Sequence, residues 1–462
     1  MPDRHALPPD APASAPAPPG ARAVFALSWP MALKAIFLHG TVVIDGWLVS
    51  SLGESAVAAM GLAAAVAGMV LGVIFAFSHA MQIRTAQAFG TGDPVYMKSV
   101  LACGLAISLA IGLVGLAAIF MFGPAILAAI APDPGIAALA WGYLAVFSLV
   151  ILGEAIGQCL ASYFNGCGRT RIPLYGYCLS VPVNITSSVV LIHGLLGMPA
   201  FGVVGAAMGS ALGIAVQVGY ILFETIRTDA RLRRVPGWRQ TTFGQSLSRH
   251  LRFALPIAAT FISATFATHV CMLIYANMSL SAFAALTLIA PWIMVAGQIS
   301  MQWTQATGIL VAQLLGQRAP EATLDQFLSA AWRGAFVTAG IVATVFFLLT
   351  MSVNWLYADL ARETRDVLVS FLPLLLILPF PRATNAICGN TLRASGDTIY
   401  VMHLFLWSQW LFRVLATAIA VLVFDVSAFW VMAIILGEEA LKFWPFHHRL
   451  YRGNWKRAVV SE

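Results

Sequence analysis

Charge is scarce in this chain: Asp, Glu, Lys and Arg make up only 10% of its 462 residues. A soluble domain needs roughly 25% to cover its surface, so a water-soluble fold is excluded. Hydrophobic residues are 60%, and mean hydropathy is +0.84. Apolar runs recur from Val24 to Phe446 and leave no room for a soluble domain. Met1 to Gly20 is rich in Pro and Ala and contains no apolar h-region. No cleavable signal peptide is therefore expected, and residues 1–23 are expected to form a disordered cytoplasmic tail. The six cysteines (Cys103, Cys159, Cys167, Cys178, Cys271 and Cys388) lack ligand spacing. They fit small buried hydrophobes better than disulfides or metal ligands. Catalytic signatures are missing too: there is no His-Glu metal pair, Gly-x-Ser-x-Gly elbow or phosphate loop. Glu438-Glu439 has no partner His at helical spacing. No enzymatic activity and no cofactor are expected.

What the chain does have is spans. Crossing about 30 Å of hydrocarbon takes about 20 apolar residues. Twelve segments qualify, at about 24–50, 55–89, 96–122, 136–163, 171–193, 200–226, 252–277, 281–315, 322–352, 362–390, 398–424 and 427–447. Breaks fall at turn chemistry such as Gly92-Asp93-Pro94 and Pro132-Asp133-Pro134. The net charge of +7 is concentrated on one side. The linker between the sixth and seventh spans carries Arg227, Arg231, Arg233, Arg234, Arg239, Arg249 and Arg252, and the C-terminal stretch carries Arg449, Arg452, Lys456 and Arg457. Opposite loops are nearly free of Lys and Arg, apart from Arg362 and Arg365. Cytoplasmic loops carry the positive excess, so both termini are expected in the cytoplasm of a multi-pass protein of a bacterial inner membrane. The arginines are expected to orient the chain and touch anionic membrane lipid; no nucleic-acid partner is expected. The expected domains are an N-terminal lobe over 24–226, a basic linker over 227–251, a C-terminal lobe over 252–448 and a cytoplasmic tail over 449–462.

The two halves overlay at a shift of 226 residues. Pro30 falls on Pro256, Ser55-Ala56-Val57-Ala58-Ala59 on Ser281-Ala282-Phe283-Ala284-Ala285, Leu62 on Leu288, Ala86-Gln87 on Ala312-Gln313, and Gly90 on Gly316. Two residues further in shift, Gly168-Arg169-Thr170 meets Gly396-Asp397-Thr398. Matched Pro, Gln, Gly and Ser at one register are not what apolar composition alone produces. Six spans per half make parallel repeats, related by an axis along the membrane normal, with a cleft between them that can open to either side in turn. The fold class expected is all-α integral membrane, twelve transmembrane helices in two pseudo-symmetric six-helix lobes around a central cavity, and the function expected is secondary transport.

Several segments carry a family resemblance: Val42-Val43-Ile44-Asp45-Gly46-Trp47 running into Leu52-Gly53-Glu54-Ser55-Ala56-Val57-Ala58-Ala59, then Ala86-Gln87 with Gly90 and Gly92-Asp93. The Gly168-Arg169-Thr170-Arg171-Ile172-Pro173 turn, Gly202-Val203-Val204-Gly205-Ala206-Ala207 and Arg393-Ala394-Ser395-Gly396-Asp397-Thr398 complete the set. In this order and spacing the chain resembles the MATE (multidrug and toxic compound extrusion) family, within a larger group that includes lipid-linked oligosaccharide flippases. The resemblance implies a role for Asp45, which stands where proton-coupled members keep the first-helix Asp that binds and releases protons. It also implies departures. Members of that kind follow a fifth-helix Asn with a second acid four positions on, whereas here Asn184 is followed by Ser188. Ser210 stands where they place a Thr. Sodium-coupled members keep acids in the seventh and tenth helices, which this chain lacks between Phe253 and Asn277 and between Val367 and Gly389. The expected coupling ion is H⁺ rather than Na⁺.

Read on their own, ionisable groups at membrane depth are functional candidates because each costs about 2.5–3.5 kcal/mol to insert. Asp45 lies fifteen residues after Pro30, about 22 Å along a helix; burial would favour its neutral, protonated form. The alternative is an ionised Asp among the outer headgroups. Glu154 is the substitute second acid, and its repeat mate is Arg382. Either the two pair across the cavity, or Glu154 attracts a cationic substrate, or they form a static ion pair that fixes packing. Gln298, Gln302 and Gln305 form one stripe at i, i+4 and i+7, lining the cavity or hydrogen-bonding between helices. His79 on the matching face is a further candidate, with a satisfied buried His as the alternative. The function expected is a monomeric antiporter that exports amphipathic, mostly cationic small molecules in exchange for H⁺. The alternatives are a Na⁺-coupled exporter and a flippase for a lipid-linked anion, which would need several Arg or Lys at mid-depth.

Overall fold

The structure is a computed structural model, and it describes residues 19–228, 242–357 and 360–457. The first half holds α1 (Ala21–Ser50), α2 (Glu54–Thr91), α3 (Pro94–Ile130), α4 (Pro134–Gly166), α5 (Arg171–His193) and α6 (Val203–Thr228). The second holds α7 (Phe243–Tyr275), α8 (Leu280–Gly316), α9 (Glu321–Met351), the broken span α10 (Arg362–Ile377 and Pro379–Ala394), α11 (Thr398–Leu422) and α12 (Ala428–Tyr451). Helix starts follow local chemistry. Asp93 accepts from the Val95 amide at 2.9 Å, and Asp133 from Gly135 at 2.7 Å, each followed by a proline that has no amide to satisfy. Gly92 ends α2 at φ +68°, a left-handed conformation that suits glycine.

Ten of these helices are long and apolar enough to cross a membrane, and α10 makes eleven if its two arms count as one span. α12 falls short because Glu438, Glu439 and Lys442 interrupt its apolar run. α10 bends by 44° between its arms. The cause is Leu378-Pro379-Phe380-Pro381: each proline removes an amide donor and clashes with the preceding turn.

Several boundaries differ from expectation because helices continue past the apolar core into headgroup depth. α7 starts at Phe243, nine residues ahead of the expected 252, on a reciprocal cap between Thr242 and Gln245. Arg249 and Arg252 are therefore helical, and the linker is shorter than 227–251. Arg231, Arg233, Arg234 and Arg239 lie outside the described residues. The expected tail from 449 begins inside α12: Arg449 bonds Asp397 at 2.8 Å, Lys456 bonds Asp325 at 2.7 Å and Arg457 bonds Glu321 at 3.1 Å. These contacts, with the buried ring of Trp455, hold the chain to α9 and α11 as far as Arg457.

Within the first half, α2 packs on α3 and α4, α4 on α6, and α5 on α6; within the second, α8 packs on α9 and α10, α10 on α9 and α12, and α11 on α7. The halves meet where α1 and α2 cross α8 and where α2 crosses α7. One apolar cluster spans both halves at the end of the bundle that bears Ala21 and Arg457, here the near end. It joins Val24, Met31, Ala80 and Ala86 to Ile257, Ala306, Ile309 and Trp455. At the far end each half keeps its own core, one around Leu48, Ala59 and Leu144 and the other around Tyr275, Phe346 and Phe371. The halves are thus sealed at the near end and separate at the far end.

Candidate functional site

Five residues before α1 ends, Asp45 is buried at 7% exposure. The Ser210 hydroxyl on α6 donates to its Oδ2 at 3.1 Å, and the Asn184 amide on α5 donates to that hydroxyl at 2.9 Å. α6 comes this close to α5 because Gly209 has no side chain: a Cβ there would overlap the Ser188 hydroxyl. Asp45, Asn184, Ser188 and Ser210, four of the expected site residues, therefore form one cluster. Three of its oxygens, Asp45 Oδ1, Asn184 Oδ1 and Ser188 Oγ, are buried without a hydrogen-bond partner. Orphan buried acceptors are uncommon and mark places where a proton, ion or water belongs.

Glu154 does not complete this cluster. It lies beside Gln158, whose amide donates to Glu154 Oε2 at 2.8 Å and to the Tyr177 hydroxyl at 3.0 Å. Lys34 donates to Gln158 Oε1 at 3.1 Å and sits 5.5 Å over the Tyr177 ring. Lys34 and Asp45 are eleven residues apart on α1, about 16 Å along its axis. Glu154 is thus linked through Gln158 to a base on another helix.

Glu154 and Arg382 do not pair either. Arg382 Nε is 3.5 Å from Glu439 Oε1 on α12. Sequence reasoning missed what Arg382 belongs to, a charged network in the second half. Lys442 sits between Glu438 at 3.2 Å and Glu439 at 3.1 Å, and Arg413 reaches Glu438 at 3.3 Å. Asn385 donates to Glu439 Oε2 at 2.9 Å, and Ser408 to Glu438 Oε1 at 3.4 Å. α11 is π-helical from Trp407 to Val414, and this wide turn carries both Ser408 and Arg413 to the acids. The sequence signal was available: Glu438 and Lys442 are four apart and Glu439 and Lys442 three apart on one helix face.

The α8 stripe is present, with Gln302 buried and donating to Gln298 at 3.2 Å, and with Gln298 and Gln305 half-buried. His79 is half-buried and packs edge-on against Phe261 of α7 at 5.1 Å, across the boundary between the halves. Arg84 of α2 lies over the Tyr96 and Phe253 rings at 5.2 and 5.5 Å.

At the near end the repeat closes on itself. Gln87 donates to the Ala394 carbonyl at 2.8 Å, and its repeat mate Gln313 donates to the Gly166 carbonyl at 2.7 Å. Gly166 and Ala394 end α4 and α10 and differ by 228, the shift of the turns that follow them. Between the two bonds, Gly90 and Gly316 bring α2 and α8 into backbone contact: a Cβ on Gly90 would overlap the Gln313 carbonyl, and one on Gly316 the Gln87 carbonyl.

The MatE family model matches residues 30–190. Over 336 residues, 69% of each chain, the sequence is 30% identical to a probable multidrug resistance protein NorM of Bradyrhizobium diazoefficiens. The chain belongs to the MATE family. A second relative, a probable multidrug resistance protein NorM of Rhizobium meliloti, is 26% identical over 405 residues, covering 83% of this chain and 85% of that one. Among solved structures, a MATE protein in a bent conformation superposes with a TM-score of 0.82 at 18% identity, covering 96% of this chain and 98% of the other. A transporter from Pyrococcus furiosus, described as having a binding pocket of reverse polarity, superposes at 0.80 and 18% identity over 93% and 96%. This MATE protein is a multi-pass membrane protein with the two-lobe helical fold expected of it.

Proposed function

We propose that the protein is a multidrug efflux transporter that exchanges amphipathic organic cations for protons by alternating access, with Asp45 as the proton carrier. The names of its relatives, probable multidrug resistance proteins, support drug efflux. The carrying observation is the Asp45 cluster: a buried carboxylate with one oxygen held by Ser210 and the other free. The chain of donors from Asn184 through Ser210 favours the ionised carboxylate. A proton on the free oxygen discharges the group without disturbing that chain. Charge in a low-dielectric site is costly and its neutral form is not, so the two protonation states favour different arrangements of α1, α5 and α6. Substrate and proton need only differ in affinity between these arrangements to be coupled. Each proton crossing 100 mV supplies about 2.3 kcal/mol, enough for roughly a fifty-fold gradient.

The same orphan oxygens favour a second reading, a Na⁺ ion held by Asp45, Asn184 and Ser188. Purified protein in liposomes, loaded with a cationic dye and given either a ΔpH or a Na⁺ gradient, separates the two. Efflux driven by ΔpH in wild type and abolished in Asp45→Asn is expected. Efflux driven only by Na⁺ would replace the proton with sodium, and efflux unaffected by Asp45→Asn would end both readings.

A further inference from the structure

A narrow recess opens at the near end where α2, α3 and α7 meet, lined by Arg84, Tyr96, Ser99, Ser246, Arg249 and His250. None of its lining residues is acidic. The Arg84 guanidinium, over the Tyr96 and Phe253 rings, makes one hydrogen bond among the described residues, to Gln87 Oε1 at 3.3 Å. Its Nε is buried without an acceptor. His250 is 3% exposed, and its ring makes no hydrogen bond among the described residues. Buried polar groups without partners are uncommon and mark places where a ligand or water belongs.

The recess stands at headgroup depth. α3 and α7 have 37 and 33 residues, about 55 and 50 Å of helix against about 30 Å of hydrocarbon. Both therefore overhang the apolar layer, and Tyr96, Ser99, Ser246, Arg249 and His250 all lie in their first two turns. The recess also joins the halves: Arg84, Tyr96 and Ser99 belong to the first, and Ser246, Arg249 and His250 to the second. It is too narrow for a flat organic cation, and its charge has the wrong sign for one.

We propose that this recess binds an anionic phosphate group, such as an acidic lipid headgroup carries, and that the bound phosphate holds the near end shut. The guanidinium of Arg84 suits phosphate oxygens, with His250 and the hydroxyls around it as further donors and Arg249 exposed beside them. Basic pockets between membrane helices take lipid headgroups in this way. Arg84 also holds Gln87, whose amide donates to the Ala394 carbonyl in the near-end seal. A ligand gripped by both halves at once binds only while they are together, and so favours the sealed arrangement. The inference does not depend on which solute is carried or which ion drives it.

Thermal unfolding of the full-length protein in detergent is measured with dihexanoyl phosphatidylglycerol, dihexanoyl phosphatidylcholine or inorganic phosphate at constant ionic strength. Phosphatidylcholine is the control, because its quaternary ammonium is repelled by the basic lining. Phosphatidylglycerol is expected to raise the melting temperature by about 3 °C over that control, since a ligand of the folded state stabilises it. The shift should vanish in Arg84→Gln, shrink in His250→Gln and return in part in Arg84→Lys. Melting of each variant in phosphatidylcholine reports that it is folded. An equal shift with inorganic phosphate makes free phosphate sufficient; a shift with phosphatidylglycerol alone makes the lipid the source. No shift with either, or one that Arg84→Gln and His250→Gln both retain, overturns the inference. The seal is read by labelling Cys167 with an impermeant thiol reagent, in a background lacking the other cysteines. The ligand that gives the shift should slow labelling by about fivefold, and an unchanged rate would overturn the closing role.

Discussion

Gly90→Leu is expected to cut transport by at least about tenfold without unfolding the protein, and Gly316→Leu should do the same. At these positions α2 and α8 touch through backbone alone: a Cβ on Gly316 would stand 2.9 Å from the Gly90 Cα as well as overlapping the Gln87 carbonyl. The overlapped atoms are main-chain carbonyls, which cannot rotate away as a flexible side chain would. A branched side chain at either glycine therefore forces the two halves apart at the near end. It also breaks the Gln87 and Gln313 bonds that flank the contact. Between helices in lipid, close packing and hydrogen bonds do the holding, since hydrocarbon is as apolar as the side chains. The expected state is one that no longer closes at the near end. Labelling of Cys167, the residue after Gly166, by an impermeant thiol reagent in a background lacking the other five cysteines reads this directly. Faster labelling in Gly90→Leu than in the parent supports the seal. Unchanged labelling with full transport would show that the glycine contact is incidental.

The second large effect is on stability. Lys442→Met should destabilise the protein by about 3–5 kcal/mol, the usual result of removing one partner from a buried ion pair. Lys442 is the only group that touches both acids among the described contacts, at 3.2 and 3.1 Å, and its side chain is 4% exposed. Without it, neighbouring carboxylates are left with two arginines at 3.3 and 3.5 Å. The double variant Glu438→Gln with Lys442→Met removes charge in balance and should melt closer to wild type. Thermal unfolding in detergent distinguishes these: a Lys442→Met protein that melts at the wild-type temperature would mean that the network carries little of the fold's stability.

The spans were legible because hydropathy reports apolar length. Their ends were not, because α7 and α12 continue on polar residues that cap or dock in place of facing lipid. Asp45, Asn184, Ser188 and Ser210 were legible through family resemblance, and the structure joins Asn184, Ser210 and Asp45 in one hydrogen-bonded chain, with Ser188 one turn along α5 from Asn184. Pairwise residue spacing could not show the rest. Lys34 meets Gln158 from 124 positions away, and Arg382, Arg413 and Glu438 lie on three different helices. Gln87 and Gln313 were visible as a repeat match, but their partners, Ala394 and Gly166, are backbone carbonyls, and side-chain identity says nothing about which carbonyl is free. The expected Glu154–Arg382 pair followed from repeat arithmetic, which fixes depth along the bundle but not the direction a side chain takes.

The composition of α12 bears on how the chain enters the bilayer. Glu438, Glu439 and Lys442 together would cost roughly 7–10 kcal/mol to insert as isolated charges, which leaves α12 poorly able to enter alone. Its counter-charges, Arg382 on α10 and Arg413 on α11, are synthesised earlier and are already in place when it emerges. Insertion of α12 is then a docking step guided by charges already present, and assembly of the second lobe depends on the order of synthesis: α10 and α11 form the receptor, and α12 is the ligand that completes it.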